Sequence, residues 1–190
     1  MNQIKKIVFT GGPYAGKSTL IKYFDKLGYP VLNEVSISII NQLNRELGVE
    51  GSINFRQKQT DEFERILISR QKELENIAAA KAIKKGSDFV IFDRGVFDAM
   101  SYYKFYSKTP PKDILNMIRD IKYDLVFVLN TLPDYDARTE TGRFETKEDS
   151  ELLCRLAYEA YSETCDNVLY LPVMSVEDRY QEVISTIKSL

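Results

Sequence analysis

Eight residues restrict this chain more than any others. Gly11-Gly12-Pro13-Tyr14-Ala15-Gly16-Lys17-Ser18 fits the pattern GxxxxGK[ST] throughout. An apolar run, Ile4 to Thr10 (IKKIVFT), precedes it, and a helical pattern from about Lys17 to Leu27 follows. A strand, a glycine-rich turn and a helix in that order aim successive backbone N–H groups at one anion, beside a helix N-terminus whose dipole favours negative charge. The pattern in this context predicts a nucleoside triphosphate cradle. Lys17 is placed to reach the β- and γ-phosphates, and the Ser18 hydroxyl to ligate Mg²⁺.

The rest of the chain alternates. Gly28 reads as the left-handed cap of the first helix. Pro30 to Glu34 (PVLNE) reads as a second strand, followed by helices over Ser36 to Leu47 and about Phe55 to Lys84. In the longer helix Phe63, Ile66, Leu67, Leu74, Ile77 and Ala78 keep a helical apolar period among charged residues. Phe89 to Phe92 (FVIF) is an uninterrupted apolar run, as a central parallel strand buried on both faces requires. Helices are expected around Tyr102-Tyr103 and after Pro110-Pro111, strands at Leu125 to Leu129 and Val168 to Leu171, and a last helix with Val176, Tyr180, Val183, Ile184 and Ile187 on one face. Alternation of this kind predicts an α/β fold with a five-stranded parallel sheet covered on both sides. No linker or repeat divides residues 1–190, so a single domain is expected.

In such sheets ligands sit beyond the carboxyl ends of the strands, so the residues just after each strand carry the function. Asp93-Arg94-Gly95 follows the third strand. Asp93 is placed near Lys17 and Ser18, either to hold Mg²⁺ or to accept a proton from an attacking hydroxyl; a helix cap is the bland alternative. The acid pair of water-activating motors is missing after it, and the DxxG signature of GTPases fails at Val96. Thr146-Lys147-Glu148-Asp149 matches a guanine-reading pattern, but there Thr146 reads better as a helix N-cap. Glu34, after the second strand, is a second carboxylate able to orient an acceptor hydroxyl. Asn130 to Lys147 reads as a lid, over about residues 131–147. It holds Arg138 and Arg143, whose guanidinium forks suit the charge that spreads over a transferring phosphoryl group. Pro172-Val173-Met174-Ser175 is either a nucleobase contact or a strand-to-helix turn capped by Ser175. Tyr102, Tyr103, Phe105 and Tyr106 either stack an aromatic acceptor or face the core.

Composition narrows the chemistry. The chain has no His, two Cys and no Trp. Imidazole-based triads, His-ligated zinc and phosphohistidine are excluded, and Cys154 and Cys165 alone cannot complete a four-ligand zinc or iron–sulfur site. With 26 Lys and Arg against 28 Asp and Glu, the balance argues against broad nucleic-acid binding, which needs a basic face. No run approaches a membrane span and no leader pattern opens the chain, so a cytoplasmic protein without a membrane partner is expected.

The motifs taken together, FTGGPYAGKST, PVLNE, FDRGVFDAMSYY, the arginine loop and LPVMSVEDR, resemble the AAA-domain family of small P-loop proteins. That family is related to the ribosylnicotinamide kinase domain of bifunctional NAD-biosynthesis proteins and includes the nucleotide-binding domain of a eukaryotic TRP-channel trafficking protein. The resemblance implies a three-layer P-loop nucleoside triphosphate hydrolase fold of nucleotide-kinase type, with strand order 2-3-1-4-5. It implies ATP (or GTP) with Mg²⁺ bound by Gly11 through Thr19, a metal or acceptor role for Asp93, and a lid role for Arg143. Two functions fit. One is a kinase of a nucleoside, nucleotide or riboside, with Lys17, Glu34, Asp93, Arg138 and Arg143 catalytic, and Glu34 and Arg94 at the acceptor. The other is a nucleotide-binding switch or slow NTPase read by a protein partner. The span from Ser36 to Lys84 separates them: an inner face lining a pocket with Arg56, Arg70 or Gln71 favours the kinase, and a flat exposed face the switch.

Overall fold

Successive side chains of a strand point to opposite faces, so an uninterrupted apolar strand needs cover on both. The computed structural model, which describes residues 4–134 and 145–190, supplies that cover. Strands β1 (Lys5–Thr10), β2 (Val31–Leu32), β3 (Phe89–Asp93), β4 (Leu125–Leu129) and β5 (Val168–Leu171) pair in parallel in the order β2-β3-β1-β4-β5. Ile7, Phe9, Ile91, Phe127 and Leu129 point into one core layer with Leu20, Ile21 and Phe24 of α1 (Lys17–Lys26) and Val183 and Ile187 of α7 (Val176–Ser189). Val8, Val90, Phe92, Val126 and Val128 point into the other. There they meet α3 (Thr60–Lys84), α4 (Asp98–Phe105), α5 (Lys112–Ile118) and α6 (Lys147–Ser162). This is the three-layer α/β arrangement and the strand order 2-3-1-4-5 that the sequence resemblance implies.

Two boundaries differ from the sequence reading. Only Val31 and Leu32 of PVLNE pair with β3, so Glu34 lies outside the strand and sits at the N-terminus of α2 (Val35–Lys58). The helix expected to end near Leu47 does break at Gly48 (φ 71°), where two helical pieces of α2 meet; residues 55–58 belong to the second piece, and the break before α3 falls at Gln59. Lys108 explains it: its Nζ donates to the Gln57 carbonyl at 2.5 Å and to Thr60 Oγ1 at 2.6 Å. Carbonyls at the end of α2 are thus satisfied from outside the helix, and α3 starts on a new axis.

The long helix α3 differs more. Ile66 and Ile77, assigned to the apolar face, are 41% exposed. Its buried stripe instead runs Thr60, Phe63, Glu64, Ile68, Gln71, Glu75, Ala79 and Ala82. No helix among the described residues is long and apolar enough to cross a membrane.

Phe9 anchors the α1 and α7 layer, fully buried and edge-to-face with Phe24 at 5.6 Å and Phe127 at 5.8 Å. Phe9→Ala is expected to cost about 3–5 kcal/mol, read as a lower denaturation midpoint at unchanged slope. A loss below about 1 kcal/mol would show that this layer is not packed as described.

Candidate functional site

The loop after β1 is held open by backbone geometry and by its neighbours. Gly11 (φ 124°) and Gly16 (φ 80°) occupy conformations that L side chains rarely adopt, and a Cβ on Gly12 would lie 2.1 Å from the Ser150 carbonyl oxygen. Ser150 also donates its hydroxyl to the Pro13 carbonyl at 2.5 Å. From the far side Arg179 of α7 donates Nη1 to the Ala15 carbonyl at 2.7 Å and Nε to the Pro172 carbonyl at 3.0 Å. The buried Lys17 curls its Nζ onto the carbonyls of Gly11 (3.1 Å) and Gly12 (2.7 Å), which places it inside the concavity. Ser18 and Thr19 stand exposed on the first turn of α1. Ser150 and Arg179 are supports that motif matching alone does not reveal.

Arg94 organises the ends of β2 and β3. It has φ 70°, a strained conformation for a non-glycine residue, and its backbone is pinned on both sides. Its N–H donates to Phe9 O at 2.9 Å, and its carbonyl accepts from Gln71 Nε2 at 3.0 Å. Its guanidinium then reaches Glu34 Oε1 through Nε (3.1 Å), and through Nη1 both Asp98 Oδ1 (2.6 Å) and the Gly11 carbonyl (3.3 Å). Burial by itself would lower the Arg94 pKa, but the carboxylates of Glu34, Asp98 and Asp93 outweigh it and hold the cation well above its ordinary range. Asp98, which the sequence reading passed over, accepts from Thr10 Oγ1 (2.9 Å) and the Tyr161 hydroxyl (2.7 Å) as well as from Arg94. Gly95 is required by close approach: a Cβ there would sit 2.7 Å from the Tyr123 hydroxyl and 2.8 Å from that of Tyr161.

Asp93 ends β3 beside Phe9 of β1 and caps no helix. It is buried, and its Oδ1 has no hydrogen-bond partner. Burial and then repulsion from Glu34 raise its pKa, while Lys17 and Arg94 pull the other way. An orphaned carboxylate oxygen in a P-loop protein fits a hard cation. Among the described residues no cluster of three or more His, Cys, Asp or Glu could cage a metal by itself. Mg²⁺ in such sites keeps waters and phosphate oxygens and takes one or two protein ligands.

Between α2, α3 and α4 lies a cavity of about 850 Å³, counted to its open mouth. Glu34, Arg94 and Asp98 form the wall nearest the P-loop, and Arg56, Glu64 and Gln71 come from the helical span. Of the three residues singled out there, Arg56 and Gln71 line the cavity, whereas Arg70 is on the surface in an ion pair with Glu73. Tyr102 and Tyr106 also line it, while Tyr103 is a core residue. Glu64 is the largest omission of the sequence reading. Its burial, aided by the charge of Asp98, raises its pKa to about 8. Glu75, about three helical turns further along, is raised to about 7 by burial, against the hydrogen bonds it accepts from Gln71 and Tyr123. Their i, i+7 spacing with Gln71 and Ala82 is the signal, obscured because a buried stripe of carboxylates looks like a solvated face.

Thr146 is the N-cap of α6 in a full capping box with Asp149, and Ser175 is the N-cap of α7. Arg138 and Arg143, and with them most of the predicted lid, lie outside the described residues.

A family model described as AAA domain matches residues 6–179. Among solved structures, deoxyadenosine kinase from M. mycoides with bound dCTP is similar at a TM-score of 0.59 and 18% identity, covering 97% of this chain and 100% of that one. Thymidylate kinase from Candida albicans is similar at a TM-score of 0.56 and 14% identity, covering 98% and 93%. At such identities the likeness is one of fold. No curated protein sequence matches.

Removing the Arg94 guanidinium strands two buried carboxylates, so Arg94→Ala is expected to cost about 3–5 kcal/mol of stability, measured by denaturant unfolding. A cost under about 1 kcal/mol would contradict its place at the hub. Glu64 gives a pH signature. A carboxyl raised on folding keeps its proton while the unfolded chain releases it, so stability falls as pH climbs from about 4.5 to about 8. Glu64→Gln removes that slope. The melting temperature of the variant relative to the native protein should change little at pH 5 and rise by several degrees through pH 8. A constant difference would refute the buried proton.

Proposed function

The chain belongs to the AAA-domain family, and on that premise we propose that it is a Mg²⁺-dependent kinase that moves the γ-phosphoryl group of ATP to a hydroxyl of a nucleoside, nucleotide or riboside. One observation carries the reading. A switch needs a single nucleotide site, whereas a phosphotransferase needs a second one for the acceptor. Here a second cavity adjoins the P-loop, joined to it by Arg94, which lines the cavity and bonds the Gly11 carbonyl.

Each residue then has a task. The loop N–H groups from Gly11 to Thr19 hold the phosphates, Lys17 neutralises the β- and γ-oxygens, and Ser18 and Asp93 are the residues that would hold Mg²⁺, whose charge offsets that of the phosphates. Glu34 lines the acceptor cavity and Asp93 does not, so Glu34 orients the acceptor hydroxyl and takes its proton. The hydroxyl oxygen forms a bond to the γ-phosphorus as the bond from that phosphorus to the β,γ-bridging oxygen breaks, leaving ADP and a phosphate ester. Arg94 fixes Glu34 by charge and hydrogen bond, and in that sense is a positioning residue. Arg138 and Arg143 are assigned to the charge of the transferring group, where an arginine is worth about 10³–10⁵ in rate.

The test is a phosphotransfer screen of the purified protein with ATP and GTP against nucleosides, nucleotides and ribosides, with Lys17→Ala as the control. At least one acceptor should raise triphosphate turnover above that control. If none does, the kinase reading fails and a switch is the better account. With the acceptor found, Glu34→Gln should lower kcat by about 10²–10⁴ and leave triphosphate affinity unchanged. A variant with native kcat would remove Glu34 from the chemistry.

A further inference from the structure

Resting on the kinase reading, the acceptor cavity says more about its occupant than that it carries a hydroxyl. Among the described residues its wall sets the carboxylates of Glu34, Asp98 and Glu145, beside the Glu64 carboxyl, against two guanidiniums, Arg56 and Arg94. Arg94 is already engaged with Glu34, Asp98 and the Gly11 carbonyl. An acceptor monophosphate would bring close to two further negative charges against this acidic wall, and such sites rely on uncommitted, forked arginines. The same cavity has an apolar side made by Ile40, Phe63, Leu67 and Ile68, with the Tyr102 and Tyr106 rings nearby. Those surfaces suit a flat, uncharged ring.

Within that lining one polar group stands out. Glu64 is 3% exposed, its Oε2 has no hydrogen-bond partner, and it comes from α3, a rigid helix of 25 residues. Gln71 and Glu75, on the same stripe, are taken up by Arg94 and Tyr123. A buried polar atom without a partner is costly and calls for an explanation. We propose that the acceptor is an unphosphorylated, uncharged hydroxyl compound with a polar heterocyclic edge, and that the Glu64 carboxyl is the specificity-determining group that reads that edge.

The chemistry is consistent. Held neutral at pH 7 by burial and by the Asp98 charge, the Glu64 carboxyl donates from one oxygen and accepts at the other, the pattern that an amide-like ring edge complements. The charged and titratable groups that share the cavity with it are Asp98 and Tyr102 from α4, Tyr106 just after it, Arg56 from α2, Glu34 just before α2, and Arg94 and Glu145 from the flanking loops. A site built to pair such an edge also rejects analogues that lack it, because the carboxyl is then left unpaired.

The test measures kcat and KM with Mg²⁺ and ATP for the four common ribonucleosides, their four deoxy counterparts and the matching 5′-monophosphates. The expected result is that the preferred acceptor is unphosphorylated, with kcat/KM at least about 100-fold above its own monophosphate. Glu64→Leu should raise acceptor KM about 10- to 100-fold with little change in the KM for ATP, and Glu64→Gln, which keeps a donor and an acceptor, should stay within a few-fold of native. Should the leucine variant fold poorly, the native protein and Glu64→Gln are compared at pH 7 and 9. Acceptor KM should rise for the native protein as Glu64 ionises, and not for the variant. A preference for monophosphates, or an acceptor KM indifferent to Glu64→Leu or, in the second comparison, to pH, overturns this inference while leaving the kinase reading standing. Turnover that neither these series nor any riboside of the phosphotransfer screen raises above the Lys17→Ala background overturns the kinase reading itself, and this inference with it.

Discussion

A single buried cation holds the candidate site together. Arg94 leaves β3 in a left-handed conformation that only its neighbours make tolerable, and its guanidinium ties Glu34 after β2, Asp98 at the start of α4 and the P-loop carbonyl of Gly11. Three segments distant in sequence thereby meet within one side chain's reach. Charges buried this way stabilise little in net terms, since each was desolvated to get there, but removing one leaves the others uncompensated. Their contribution is positional: Glu34 is held at one wall of a cavity and Asp93 beside the P-loop, so two carboxylates only a strand apart have different surroundings.

The sheet makes this arrangement possible. A parallel sheet with β1 at its centre brings the carboxyl ends of β2, β3 and β1 side by side, and the helices that cover it set the walls. On one face α1 and α7 brace the P-loop, with Arg179 reaching Ala15. On the other α3 turns a polar stripe inward, so that Gln71 supports Arg94 and Glu64 faces the cavity. The helix is thus both a core element and a wall of the site.

Much of this was legible in the sequence. The P-loop, the limits of β4 and β5, the Thr146 and Ser175 caps and the importance of the DRG turn follow from local signals: a glycine spacing, an apolar run, a capping hydroxyl before a helix. What was missed shares a physical cause. Glu64, Glu75 and Asp98 are carboxyl groups in places where composition rules expect apolar residues, and for Glu75 and Asp98 only tertiary neighbours, Tyr123 and Tyr161, reveal why they are tolerated. The apolar period of α3 holds at Phe63, Leu67 and Ala78 but fails at Ile66 and Ile77, which face outward where Glu64 and Gln71 face in. Arg179 was hidden by distance, 164 residues from the carbonyl it holds.

In the proposed reaction the phosphoryl group leaves the nucleotide for an organic hydroxyl and not for water. The decisive measurement follows the label of γ-³²P-ATP in the presence of a mixture of nucleosides and ribosides. Label is expected in a phosphate ester, formed in step with ADP and absent with Lys17→Ala. Label found only in inorganic phosphate, at a rate the mixture does not change, would contradict it.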